Sequence, residues 1–276
     1  PKKTNDGPLN IIDDSALRII MVISLQRSSP VSDDPSSFAS ALHRYNQGVS
    51  ALLSRYAGKT VRQTENYFLL SFQSSSNAVK AAIEIGGLFK NFKKEAQVRE
   101  LHLKIGLSTG VPVTEKKIIF ADGVKLAERM CKLVKGVIIV SSEVKELYNS
   151  ENLDPLDKKK ELFCLAQADE QFLTQLMDHT ESIWNEPAFK VDDLSKPVGC
   201  SKSQLYRKMI LLTGKSPNAF IREYRLGEAL ALLNKHGGNI SEIAFETGFT
   251  SPSYFSKCFQ KQYGHAPSDL LAARAK

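Results

Sequence analysis

Arg207 and Lys257 occupy matching places in two stretches of a 276-residue chain. The first stretch is GCSKSQLYRKMILLTGKSP, residues 199–217; the second is GFTSPSYFSKCFQKQYGHAP, residues 248–267. With one extra residue in the second turn, Ser201 aligns with Ser251, Leu205 with Phe255 and Arg207 with Lys257. Met209 then aligns with Phe259, Gly214 with Gly264 and Pro217 with Pro267. Each copy opens on a glycine, which permits the positive φ of a sharp turn after a helix. A serine follows as N-cap, and Pro252 suits the first helical position. Leu205, Met209, Phe255 and Phe259 form an inward apolar stripe. The outward face then carries Lys202, Ser203, Tyr206 and Arg207 in the first copy. In the second it carries Pro252, Ser253, Ser256 and Lys257. Small polar groups and a cation near the start of a short exposed helix suit the reading of base edges in a major groove. Arg207 is the best candidate for a guanine or phosphate contact.

The elements that must position these residues follow from the flanking sequence. An apolar helical pattern precedes each copy, VDDLSKPV in one case and ISEIAFET in the other, and a long helix over Pro217–His236 joins them. This predicts two helix-turn-helix units. A helix starting at Ile240-Ser241 offers N-terminal amides to a phosphate. The competing reading is a repeated helical hairpin with a solvated face. Bulk charge does not decide between the two. The chain carries a net +7, but residues 169–276 hold 13 Lys and Arg against 12 Asp and Glu, while residues 1–168 hold 24 against 18. Any case for nucleic acid rests on local placement.

The stretch IAFETGFTSPSYFSKCFQKQYGHAPSDL resembles the signature of the AraC family of bacterial transcription regulators. The resemblance covers about Glu170–Ala273. It implies an all-α domain whose two recognition helices enter successive major-groove segments of double-stranded DNA, about one turn apart. The positions resembling the family's base-contacting ones are Ser203, Tyr206 and Arg207 in the first helix, and Pro252, Ser253, Ser256 and Lys257 in the second.

Upstream, ALRIIMVISL reads as a buried strand and Ser37–Tyr56 as a helix. KTVRQTENYFLLSF reads as strand, turn, strand; Asn77–Phe92 as a helix; VRELHLKIGLSTG as a strand. Ala121–Leu133 is a helix, GVIIVS a strand and Ser142–Tyr148 a short helix. Helices between paired strands predict an α+β, ferredoxin-like sheet domain. The expected division is a linker or disordered segment at 1–14, the α+β domain at 15–152, a linker at 153–168 and the helical domain at 169–276.

The ordered segments VRQTENYFLLSFQSSSNAVKAAIEI, LHLKIGLSTGVPV and IIFADGVKLAERMCKLVKGVIIVSSEVKEL resemble the class III nucleotide cyclase domain over about Ala16–Asn152. Such cyclases use two aspartates to hold two metal ions. The first would stand near Ile23–Gln26, which reads ISLQ; the second falls in a turn where Asn66 follows Glu65. An Asn-x-x-x-Arg pair supporting ribose and phosphates is here Lys125 and Arg129, and the purine-reading positions hold Arg62 and Ile118. Glu65, Asp33 or Asp34 could substitute for a missing carboxylate. The resemblance therefore implies a degenerate, non-catalytic module without cofactor or metal. Arg62, Lys125 and Arg129 remain as a cleft for an anionic small molecule or nucleotide effector, or as solvated surface charges. Cyclase domains work as head-to-tail dimers, so a homodimer is expected. An active cyclase fused to a DNA-binding domain is the alternative, and a purely structural dimerisation block is a third reading.

Bulk features exclude other classes. No apolar run approaches the roughly 18 residues of a membrane span, and no signal peptide is evident. The start at Pro1 suggests a fragment or a processed chain. Cys131, Cys164, Cys200 and Cys258 form no C-x-x-C pair, and Cys200 and Cys258 are expected as buried free thiols in a reducing cytoplasm. His43, His102, His179, His236 and His265 have no metal-ligand spacing.

Overall fold

The computed structural model describes residues 17–27, 35–95, 101–110, 121–236 and 239–274. β1 (Arg18–Arg27) lies inside a six-stranded sheet of order β2-β3-β1-β4-β5-β6. Its neighbours β3 (Tyr67–Phe72) and β4 (Leu101–Gly110) are both antiparallel to it, and β2 (Lys59–Gln63) forms one edge. β5 (Ile138–Val140) and β6 (Leu162–Cys164) extend the other side in parallel. Both faces of β1 are covered, which explains its unbroken apolar run. Ile19, Met21, Ile23 and Leu25 face a core shared with α1 (Pro35–Arg55), α2 (Ser75–Glu95) and α4 (Ser142–Glu151). Ile20 and Val22 face the other side, against α3 (Ala121–Leu133).

Two glycines let α3 lie close on β4. A Cβ on Gly106 would stand 2.5 Å from the Ala127 carbonyl oxygen, and one on Gly123 would stand 2.2 Å from that of Thr109. Neither gap admits a side chain.

The sheet domain extends past its expected end. Within residues 153–168, read from sequence as a linker, Leu156–Lys158 forms a 3-10 turn and β6 pairs with β5 in the register Ile138↔Leu162, Ile139↔Phe163, Val140↔Cys164. A three-residue strand is too short to show a period, and the preceding lysines mask it as a solvated charge run.

The remainder is helical, as expected: α5 (Gln167–Ile183), α6 (Val191–Ser195), α7 (Lys202–Thr213), α8 (Pro217–His236), α9 (Ile240–Glu246), α10 (Pro252–Tyr263) and α11 (Pro267–Arg274). α6-α7 and α9-α10 are the two helix-turn-helix units. Their cores differ. A contiguous cluster runs from Ile20, Val22 and Leu69 through Met130 of α3 and Leu173, Leu176 and Met177 of α5 to Leu205 and Met209 of α7. The second unit has its own core of Leu226, Ala229 and Leu233 from α8 with Ile243, Phe249, Phe255 and Phe259.

α5 joins sheet and helices. Phe172, Leu173, Leu176 and Met177 are buried along it, each contributing about 1.5–3 kcal/mol. Arg129 on α3 is only 4% exposed, and a buried guanidinium needs paired charge. α5 supplies it: Arg129 Nη2 donates to Asp178 at 2.6 Å and to Glu181 at 3.1 Å, and Nη1 donates to the Thr174 carbonyl at 3.3 Å. Lys125 reaches Asp178 at 2.8 Å. At the other end of α5, the Ser142 N–H at the start of α4 donates to Glu170. The Lys135 N–H donates to the Leu212 carbonyl of α7 at 2.8 Å, and the Lys132 ammonium lies 4.4 Å from the Tyr224 ring centroid.

Removing both carboxylates from Arg129 (Asp178→Ala with Glu181→Ala) strands a buried cation. The expected loss is about 3 kcal/mol in denaturant unfolding. A loss below about 0.5 kcal/mol would mean that apolar contact alone holds the joint. Hydrogen bonds from Arg129 and then Lys125 hold the Asp178 carboxyl below its usual range. A depressed carboxylate stabilises the fold above its unfolded pKa, and the gain is lost as pH falls through the lower folded value. The melting temperature of the native chain should therefore fall more steeply below about pH 4 than that of Asp178→Asn. Parallel curves would remove Asp178 from the acid response.

Candidate nucleic-acid interface

Each recognition helix is held by its caps. In α7, Ser201 Oγ accepts from the Gln204 N–H at 3.3 Å, and Gln204 Oε1 accepts from the Ser201 N–H at 2.9 Å, a reciprocal capping box. In α10, Ser251 Oγ accepts from the Tyr254 N–H, and Pro252 is the first helical residue. Both helices end on left-handed glycines, Gly214 at φ 74° and Gly264 at φ 82°. Gly199 and Gly248 take φ of 62° and 77° in the turns, the conformation the sequence required. At Gly248 a Cβ would also meet Arg225 Nε at 2.8 Å.

Burial of one face exposes the other. Leu205, Met209, Phe255 and Phe259 are each 0% exposed. Lys202, Ser203, Tyr206 and Arg207 are exposed on α7. On α10, Ser253 and Lys257 are exposed, while Pro252 and Ser256 are half-buried. The cations differ in availability. Lys202 pairs with Asp192 of α6 at 2.6 Å. Arg207 and Lys257 form no ion pair with the described residues, so the matched cations are open to an outside anion.

One exposed residue escaped the sequence reading. Tyr254, 53% exposed, stands on α10 beside Ser253, with its ring 6.3 Å from that of Phe249. Its counterpart Gln204 is consumed by the capping box of α7. The signal was its position one step outside the Phe255–Phe259 stripe. At the start of α9, Asn239 Oδ1 already accepts the Ser241 N–H at 2.9 Å, so one amide expected for a phosphate is taken.

The N-terminal cations are placed differently from one open cleft. Lys125 and Arg129 point to the α5 carboxylates described above. Arg62 lies 3.6 Å from Glu128 and 4.8 Å from the Tyr67 ring centroid, and the Tyr67 hydroxyl donates to Glu128 at 2.6 Å. Burial and the Glu128 bond push the Tyr67 phenol up to about 12. The two stretches where metal carboxylates would stand are neighbours, since the Leu25 N–H donates to the Asn66 carbonyl at 2.8 Å. Glu65 is exposed beside them; Asp33, Asp34 and Ile118 lie outside the described residues. Among the described residues no three His, Cys, Asp or Glu side chains are grouped to hold a metal ion, and no helix is long and apolar enough to cross a membrane.

The thiol expectation needs correcting. Cys200 and Cys258 are only half-buried, Cys200 because it lies in the turn before the Ser201 cap. The buried thiol is Cys131 under α3, pushed up to about 12 by burial.

Comparison with known proteins places the helical region. Residues 194–273 match a family described as "Helix-turn-helix domain". Over 104 residues, 38% of this chain, it is 39% identical to histidine kinase P4 of Formosa agariphila, of which that match spans 8%. It is 32% identical over 95 residues to the HTH-type transcriptional regulator MtrA of Neisseria gonorrhoeae, covering 34% of this chain and 30% of the regulator. The chain thus spans less than a third of the length of these relatives. A solved AraC-type transcriptional regulator from Chromobacterium violaceum is similar at 28% identity and a TM-score of 0.36, covering 40% of this chain and 98% of that one. The guanylate cyclase domain of RhGC from Catenaria anguillulae, solved with GTP, is similar at 17% identity and a TM-score of 0.40, covering 48% of this chain and 82% of that one. Residues 194–273 of this chain are a helix-turn-helix domain, following an α+β domain built on a mixed six-stranded sheet.

Proposed function

We propose that this chain is a sequence-specific, DNA-binding transcription regulator. The observation that carries the reading is the matched pair Arg207 and Lys257, free of ion pairs among the described residues, on two capped helices whose opposite faces are fully buried. α7 and α10 enter successive major-groove segments on one side of the duplex. Arg207 with Ser203 and Tyr206 reads one segment; Lys257 with Ser253, Pro252 and Ser256 reads the other, and Lys202 adds charge beside the first. The α+β domain serves as a dimerisation or ligand-sensing module. A homodimer places two helical domains on one operator and raises affinity through effective concentration. The cytoplasm is the compartment that fits this role.

Sites selected from a random DNA pool supply the probe. Arg207→Ala and Lys257→Ala should each weaken binding to the selected site by about 1–3 kcal/mol, with a smaller change on random duplex. Unchanged binding by both variants would overturn the assignment of the heads.

Catalysis is the competing reading, favoured by the survival of Arg129. Its guanidinium is already engaged by Asp178 and Glu181, and Asn66 supplies no carboxylate. Incubation with ATP or GTP and Mn²⁺ should yield no cyclic nucleotide; turnover above a heat-denatured control would restore the cyclase reading.

A further inference from the structure

A groove opens between α8 and the second helix-turn-helix unit, floored by Pro187 and Phe189 of the α5-α6 connection. Asn218, Arg222 and Arg225 of α8 line one side of it; Thr250 of the second turn and Tyr254 of α10 line the other. The two arginines stand one turn apart on α8, yet their states differ. Arg225 is turned to the protein: its Nε donates to the Trp184 carbonyl at 2.8 Å and its Nη2 to that of Glu186 at 2.6 Å. Arg222 is partly exposed and has no ion pair with the described residues. Asn218, Thr250 and Tyr254 are exposed at the rim.

We propose that this groove seats a backbone phosphate of the duplex on the flank of the second head. The inference rests on the DNA-binding reading above. Tyr254 fixes the geometry, because it belongs both to the exposed face of α10 and to the groove wall. A duplex read by Ser253 and Lys257 brings a flanking strand to the Tyr254 side of that helix. There Arg222 supplies the charge, and the Tyr254 phenol, the Thr250 hydroxyl and the Asn218 amide supply neutral donors. Phosphate contacts of this kind set register without reading sequence. Arg225 acts as a positioning residue: it ties α8 to the end of α5 and forms the wall on which the Gly248 turn rests.

The test is binding of Arg222→Gln and Arg222→Lys to selected and random duplexes across a salt series. Arg222→Gln should lose about tenfold on both duplexes and lower the slope of log K against log salt by about one. Arg222→Lys should keep most of the slope. Tyr254→Phe, which removes one hydroxyl, should weaken both duplexes a few-fold with the slope unchanged. Native melting temperatures verify that the variants fold, and Tyr254→Phe carries the test if Arg222→Gln does not. An unchanged slope in Arg222→Gln, or in Tyr254→Phe undiminished binding or a loss confined to the selected site, overturns the phosphate seat. If the unmodified chain binds no DNA, the regulator reading falls with it; if it binds and only these variants are silent, the phosphate seat alone falls.

Discussion

Arg129 imposes the constraint on which the architecture turns. A guanidinium buried under α3 cannot be left to water, and its counter-charges come from another helix. Asp178 and Glu181 face it only if α5 lies along α3 in one register, since they stand three residues apart on one face. The apolar contacts of Leu173, Leu176 and Met177 would tolerate some sliding; the ion pairs do not. Glu170 fixes the opposite end against α4. A helix that belongs by sequence to the helical domain is thereby made part of the sheet domain's wall. The first helix-turn-helix unit, packed into the same core as α5, inherits that orientation.

The two recognition helices are alike in caps and in buried stripe but unlike in mounting. Leu205 and Met209 belong to the core that reaches back to β1. Phe255 and Phe259 belong to a smaller core closed by α8. The first head thus shares a core with the sheet domain, whereas the second rests on α8 and, at Gly248, on the backbone just beyond α5. This matches a physical difference in loading: the first head carries Lys202 tied to Asp192, while the second has the open aromatic face of Tyr254.

Much of this was legible in the sequence, for physical reasons. The caps, the left-handed glycines and the apolar stripes are local, so Ser201, Ser251, Gly248 and Phe255 announced themselves through spacing. The long helix α8 and most of the sheet followed from periodicity. What stayed hidden was non-local. Nothing near Arg129 says that its partners lie about fifty residues later on α5. Three-residue β6 has no period to detect. Cys200 looked apolar by company, but its backbone is in a turn. Tyr254 was obscured because an aromatic between two phenylalanine positions reads as core until the helix is turned into three dimensions.

α8 runs 20 residues, so it is a rod about 30 Å long. The heads pack against different stretches of it, the first near Phe220 and Ile221, the second from Leu226 to Leu233. Such a rod acts as a gauge. One base pair inserted between the two segments displaces the far segment by about 3.4 Å and rotates it by about a tenth of a turn. A flexible tether would absorb both; a helix packed into two cores absorbs neither. On the proposed reading of two groove segments, the spacing of the target is written into the protein as a length, alongside whatever its side chains read as letters.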